Sequence, residues 1–269
     1  MTLKQLFKKN THNAFFKALA GFGRSLNRLY ENRNHDIFSN GELTVLKKLA
    51  KLQPSIIVDG GANIGEYSLI AHKTIPTASI YSFEPVLSTY KKLKENISKK
   101  ARIHPFDKGL FSKTCSKEIN IYPSSTHSSL VDIQGLAYES REKQTIELVK
   151  GDDFMKEMGI QSIDLLKIDV EGAEFDVLKG FESYLKEGKI KAIQFEYGYI
   201  NITTKKLLLD YHNFFEERGY LLGKIFPKSV EFREYKYKYE NFIGPNLIAV
   251  HKSQTKLIQL LSNNRYHMQ

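Results

Sequence analysis

The chain has 269 residues, 41% of them hydrophobic, which is enough for one sizeable core and predicts one main domain. No run of eighteen apolar residues exists, and residues 1–22 lack the continuous apolar stretch of a secretory signal, so the sequence reads as cytoplasmic. A single cysteine, Cys115, excludes an internal disulfide and a cysteine-based zinc site, and a formal net charge of +10 on scattered lysine pairs does not choose between nucleic acid, an anionic membrane and an acidic glycan.

Residues 1–50 read as an N-terminal helical segment, because Leu3, Leu6 and Phe7, and then Phe15, Phe16 and Leu19, fall at helical spacing. The first helix is amphipathic and basic; it either packs across the main domain or docks peripherally on a membrane surface or a partner. From Pro54 onward strands and helices alternate. Strands are predicted at 55–59, 79–84, 102–106, 162–169, 190–197, 220–226 and 246–252, and helices at 64–74, 87–98, 152–158, 173–186 and 203–217. Met155 and Met158 read as core residues of the 152–158 helix. This alternation predicts an α/β fold, a mostly parallel sheet covered by helices on both faces. The main domain is expected over 51–255, with a C-terminal tail at 256–269.

The stretch Ile56–Gly65 reads IIVDGGANIG, an apolar strand that ends in an acid and passes through a glycine-rich turn into a helix. Open α/β sheets bind ligands at their carboxyl edge with such a turn, through free N–H groups and close backbone approach. The dinucleotide fingerprint is broken, since Ala62 stands where a second glycine would let backbone approach a pyrophosphate. The spacing suits a ligand without phosphate, whose amino-acid tail meets the turn and whose ammonium meets Asp59; S-adenosylmethionine is such a ligand. The second strand ends in Glu84, 25 residues after Asp59, where a carboxylate accepts hydrogen bonds from both ribose hydroxyls.

The strings VDGGANIGEYS (58–68), FEP (83–85), KGLFS (108–112) and LLKIDVEGAEFDVLKG (165–180) resemble the FkbM family of S-adenosylmethionine-dependent methyltransferases, and KIDVEGAE is the part specific to that family. The resemblance covers about 55–200 and continues to the final strand. It implies a Rossmann-like, seven-stranded, mostly parallel sheet of the class I methyltransferase type, and methyl transfer to a hydroxyl of a sugar, a glycan or a secondary metabolite. By the same resemblance Asp59, Gly61, Asn63 and Gly65 line the methionine part, Glu84 holds the ribose, and Asp107, at the end of the third strand, contacts adenine.

Asp169 ends the fourth strand, Gly172 permits a tight turn, and Glu171 and Glu174 open a helix whose N-terminal dipole tolerates acids. Capping accounts for Glu174. Asp169 and Glu171, with Glu196 from the end of the fifth strand, bring three carboxylates to one cleft, an arrangement that repels itself unless it binds a cation or moves a proton. A sugar hydroxyl needs such help, from a base or from a divalent ion such as magnesium, and some sugar methyltransferases outside the narrow family hold magnesium with acids after the fourth and fifth strands. Asp169, Glu171 and Glu196 are therefore the catalytic candidates, as proton acceptors or metal ligands, and His127 in SSTHSSL is the other candidate base.

Two insertions are candidate acceptor walls. One is 111–150, with KEINIYP and TIELVKG as extra strands; the other is KSVEFREYKYKYENFIGPN (228–246), whose tyrosines suit sugar rings and whose Arg233, Lys236 and Lys238 suit a carboxylate or phosphate. The second segment reads equally as an edge hairpin with lysines that discourage aggregation. A nucleic-acid methyltransferase would use the positive charge, but the Asn/Asp-Pro-Pro-Tyr type of motif for base amino groups is absent after the fourth strand. A non-catalytic nucleotide-binding module would have no use for the converging acids.

Overall fold

Neighbouring apolar residues of each central strand point to opposite faces of the sheet, so Ile57, Ile80, Leu165 and Ala192 enter one core and Val58, Phe83, Leu166 and Ile193 another. The computed structural model describes residues 2–122, 129–130 and 142–262. In chain order its elements are α1 (Leu3–Lys9), α2 (Ala14–Tyr30), α3 (Glu42–Ala50), β1 (Ile56–Gly60), α4 (Glu66–Thr74), β2 (Ser79–Phe83), α5 (Leu87–Ile97), β3 (Ile103–Phe106), β4 (Gly109–Phe111), β5 (Cys115–Ile121) and β6 (Glu142–Lys150). There follow α6 (Gly151–Glu157), β7 (Leu165–Ile168), α7 (Glu174–Gly180), α8 (Glu182–Lys186), β8 (Ala192–Glu196), α9 (Ile200–Thr204), α10 (Leu208–Glu216), β9 (Tyr220–Ile225), β10 (Val230–Phe232), β11 (Asn246–His251) and α11 (Thr255–Leu261).

Eight strands form one sheet in the order β10-β9-β11-β8-β7-β1-β2-β3. It is parallel from β3 across to β8 and antiparallel where β11 joins β8 and β9 and where β9 joins β10. Helices α3, α4, α5 and α11 supply the core on one face, and α6, α7, α8 and α10 supply it on the other. The α/β class is the expected one, with β10 added at the edge of the seven strands. A separate three-stranded sheet, β4-β6-β5, is the 111–150 insertion with its extra strands. The chain lays β2 and β3 on one side of β1 and returns to lay β7 and β8 on the other, so the strand order reverses between β1 and β7, where open α/β sheets bind their ligands. Met155 is fully buried, whereas Met158 lies exposed at the end of α6 and is not core.

The N-terminal and C-terminal segments are more deeply built in than the sequence predicts. Val45, Leu46 and Leu49 of α3 are buried in the same core as Leu257, Ile258 and Leu261 of α11, and the two helices touch. A polar seam then ties residues 31–42 to the far half of the sheet. The Glu31 carboxylate meets Lys224 Nζ at 2.8 Å, and the Asn32 side-chain amide donates to the carbonyls of Asn40 (2.7 Å) and Ile225 (3.0 Å). Buried Glu42 accepts from the side-chain amides of Asn40, Gln194 and Asn246 at 2.6, 2.9 and 2.7 Å. Hydropathy periodicity carries no signal of such contacts. Helix α2, by contrast, buries no residue. The seam has a direct test: Glu31→Ala leaves the Lys224 ammonium, whose side chain is 5% exposed, with only the Ile243 carbonyl as acceptor. Loss of a buried ion-pair partner should lower the unfolding free energy by about 3 kcal/mol in urea titration. A loss below about 1 kcal/mol, the scale of an exposed pair, would contradict the burial of this seam.

Candidate active site

The turn after β1 is built around Gly61. Its φ of +80° is left-handed, and a Cβ there would collide with the Asp169 carbonyl, so the turns after β1 and β7 come together only because residue 61 has no side chain. The free N–H groups expected of this turn are not free. Gly61 and Ala62 both donate to the Phe83 carbonyl (3.0 and 2.9 Å), Asn63 donates to Glu84 Oε2 (3.0 Å), and Gly65 donates to the Ala62 carbonyl (2.8 Å). On the acceptor side, Asn63 Oδ1 is buried with no hydrogen-bond partner. A turn whose donors are engaged by its own fold, with an oxygen left over, favours an ammonium and disfavours a phosphate. That fits the amino-acid tail of S-adenosylmethionine.

Glu84, just past the end of β2, supports the turn from below. Its Oε1 accepts from the Val86 N–H (2.9 Å) while Oε2 accepts from Asn63, and each oxygen keeps a further lone pair. Burial is the main influence on this carboxyl and pushes it up to about 7, against the lowering effect of the two N–H donors.

One cavity of about 1220 Å³ runs from Glu84, Pro85 and Val86 to Glu171 and Glu196. Ile119, Ile146 and Leu148 of the small sheet pack with Val86 and give the cavity an apolar wall there. At its floor lies Lys167, a lysine inside an otherwise apolar strand. Its ammonium is 3.2 Å from Asp169 Oδ2 and 3.5 Å from Asp59 Oδ1. Burial alone would favour the neutral amine, but Asp169, Asp59 and Glu42 outweigh it and hold the group charged. Asp59 is fully buried, accepts from the Ser68 hydroxyl at 2.6 Å, and does not line the cavity. It anchors Lys167 beneath the turn, and the expected contact of Asp59 with a ligand ammonium is corrected accordingly.

The three acids behave differently from one another. Asp169 is paired with Lys167. Glu171 is pushed up to about 9, first by burial and then by Asp169, Glu196 and Glu174, so it carries a proton at neutral pH. Glu196 Oε1 faces His35 Nδ1 at 3.7 Å, an ion-pair distance; burial and Asp169 raise the Glu196 pKa, and Glu196 in turn raises that of His35. Glu174 caps the turn as expected, accepting from the N–H groups of Val170 (3.2 Å) and Gly172 (3.0 Å). Among the described residues no group of three or more His, Cys, Asp and Glu side chains is arranged to hold a metal ion. With Lys167 beside Asp169 and His35 facing Glu196, the three acids are not gathered into the magnesium site that was one of the two alternatives for them.

Gly61, Asn63, Glu84, Asp169, Glu171 and Glu196 therefore come together in one cavity. Gly65 does not line it; with φ +91° it forms the entry to α4, where a Cβ would press on Leu93 at 2.7 Å. Asp107, from which an adenine contact was expected, lies exposed beyond β3 and is not among the residues that line the cavity. His127 falls outside the described residues. From the 228–246 segment only Phe242, Gly244 and Pro245 reach the cavity, while the Arg233 guanidinium stacks on Tyr239 at 3.7 Å. Sequence reading missed Lys167, His35, Arg33 and Tyr67, all of which line the cavity. A charged residue in the middle of the apolar run LLKI was a readable signal for Lys167; His35 and Arg33 come from an irregular segment with no pattern to find.

A parallel sheet whose strand order reverses beside a glycine turn, completed by the antiparallel β11 inserted between β8 and β9, is the class I methyltransferase fold. Residues 59–222 match the Methyltransferase FkbM domain, and the chain belongs to that family. It is similar to methyltransferase sdnD of Sordaria araneosa, 33% identical in a match that covers 47% of this chain and 60% of that protein. It is also similar to the hexuronic acid methyltransferase AglP of Haloferax volcanii, 28% identical over 62% of this chain and 68% of that protein. The 2-O-methyltransferase NoeI of Sinorhizobium fredii is 26% identical over 57% of this chain and 67% of that protein.

The Glu84 carboxyl makes ligand binding depend on pH in a defined direction. Ribose hydroxyls that donate to this carboxylate would require binding to remove the proton that Glu84 holds below about 7. Calorimetric affinity for S-adenosylmethionine should be flat above that pH and fall by about tenfold per pH unit below it, the slope of one linked proton. Glu84→Gln should bind more weakly with the slope gone; an unchanged slope in that variant would place the titrating group elsewhere.

Proposed function

We propose that the protein is an S-adenosylmethionine-dependent O-methyltransferase acting on a hydroxyl of a sugar or glycan. The observation that carries this reading is one continuous cavity, with an acceptor-rich turn and Glu84 at one end and the pair His35–Glu196 at the other. Membership of the FkbM family supports methyl transfer, and the names of AglP and NoeI support a sugar acceptor and transfer to oxygen.

S-adenosylmethionine supplies an electrophilic methyl on a sulfonium. Asn63 Oδ1 would receive the ammonium of its amino-acid tail, Glu84 would accept from the ribose hydroxyls, and the apolar wall of Ile119, Ile146 and Leu148 would hold the adenine. At the opposite end the acceptor hydroxyl loses its proton to His35, which Glu196 orients and makes more basic. Glu171, being protonated, donates a hydrogen bond to the acceptor and does not serve as its base. Asp169 and Lys167 fix the floor on which both ends rest. Methyl transfer is an in-line displacement, so alignment and exclusion of water by Tyr199 and Ile202 at the rim supply much of the effect.

The test follows S-adenosylhomocysteine release with a hexuronic acid and with its methyl ester as acceptors. Transfer to a hydroxyl predicts product from both. The rate should rise with pH through a value above the ordinary 6.5 of histidine, because neutral imidazole is the active form and Glu196 raises its pKa. His35→Gln should cost about a hundredfold and abolish that rise, and Glu196→Gln should move the inflection to lower pH. Product from the free acid alone, unaffected by His35→Gln, would show esterification of a carboxylate, which needs no base.

A further inference from the structure

Helix α2 is not used by the cavity and buries nothing, yet its sequence is strictly patterned. Phe15, Leu19, Phe22, Leu26 and Leu29 recur in alternating steps of four and three, so they form one stripe along the helix. The stripe is open to solvent: Phe15 is 69% exposed, Phe22 62% and Leu29 76%. Lys17, Arg24 and Arg28 stand on the opposite face by the same spacing. The Phe7 ring packs on Phe16 with centroids 4.6 Å apart, which brings α1 and its Lys4, Lys8 and Lys9 alongside. Residues 1–30 thus hold six Lys and Arg and no Asp or Glu.

We infer that α2 docks the protein on the surface of an anionic lipid bilayer, with the Phe/Leu stripe in the headgroup boundary and the basic residues drawn to the lipid charge. An apolar stripe backed by an all-basic polar face is the pattern that lies in a membrane interface. No helix among the described residues is long and apolar enough to cross a membrane, so the contact is peripheral. Charge decides against a second copy as the occupant. Two α2 helices would offer one another no acid to pair with the six positive charges of residues 1–30, whereas an anionic surface complements them. The stripe also runs for only two heptads, and the positions flanking it, Phe16, Ala18, Gly23, Ser25 and Tyr30, offer no charges for interhelical pairing.

The placement has a consequence for the acceptor. Arg33 lines the cavity three residues after the last residue of α2, a reach of about 10 Å at most, and the buried Glu31–Lys224 pair fixes the link between them. A docked α2 therefore holds the cavity beside the lipid surface.

Co-sedimentation of the full chain with lipid vesicles tests this. The protein should bind vesicles of mixed phosphatidylglycerol and phosphatidylcholine at least about tenfold more tightly than pure phosphatidylcholine vesicles, and added salt should erode the difference. Phe22→Glu combined with Leu26→Glu should abolish binding to both with the far-UV spectrum unchanged, since neither side chain is packed in the fold. Lys17→Gln with Arg24→Gln and Arg28→Gln should weaken only the anionic preference. Absence of binding to the anionic vesicles, equal binding to both kinds, or binding retained by the double variant would overturn the inference. So would a dimer in sedimentation equilibrium that the double variant dissolves, which would give the stripe to a second copy.

Discussion

The Lys167 ammonium, held between Asp59 and Asp169, is the contact on which the rest of the site depends. Burying an ammonium is costly unless carboxylates surround it, and here β1 supplies one and the residue after β7 the other. The pair locks the carboxyl ends of the two strands between which the sheet reverses. It does so beneath the point where the Gly61 backbone touches the Asp169 carbonyl. Asp169 then sets the charge seen by its neighbours. Its negative charge helps to raise the pKa of both Glu171 and Glu196.

The polarity of the cavity follows from the same economy of hydrogen bonds. Each N–H of Gly61, Ala62, Asn63 and Gly65 is engaged within the fold, which turns a loop of the kind often used to cradle phosphates into one that presents oxygen. Glu84 completes this inversion by accepting from two backbone N–H groups while keeping lone pairs in reserve. At the far end, the N-terminal segment brings His35 to Glu196 only because Glu31, Asn32 and Glu42 clamp residues 31–42 onto β8, β9 and β11. This end of the cavity is thereby assembled from parts of the chain more than 150 residues apart, as the 193-residue separation of Glu31 and Lys224 illustrates.

Much of this was legible in the sequence for identifiable reasons. Strand and helix alternation placed every strand of the large sheet except β10, because a buried parallel strand is a short apolar run and Val230–Phe232 is only three residues long. The helix predicted at 173–186 breaks at Phe181, directly after Gly180, a glycine that was a readable stop, and the one predicted at 203–217 begins only at Leu208, after the left-handed Lys205, which no glycine or proline announces. Glu84, Asp169, Glu171 and Glu196 line the cavity as the sequence suggested, because side chains at and just after the carboxyl ends of the strands meet at that edge. Asp59 misled because a residue at a strand end can point either into the cleft or beneath it, and the partner that decides, Lys167, lies more than 100 residues away. His35 was invisible for a similar reason: its segment has no period, and only tertiary polar contacts position it.

The most direct test of this account compares S-adenosylmethionine titrations of the native chain and of Lys167→Met, a substitution that keeps the volume of the buried side chain and removes its charge. With Lys167 as the organising contact, the native chain should bind at one site, and the folded variant should lose at least about tenfold in affinity as Asp59 and Asp169 repel one another beneath the turn. Equal affinity in both proteins, or no binding to the native chain, would contradict it.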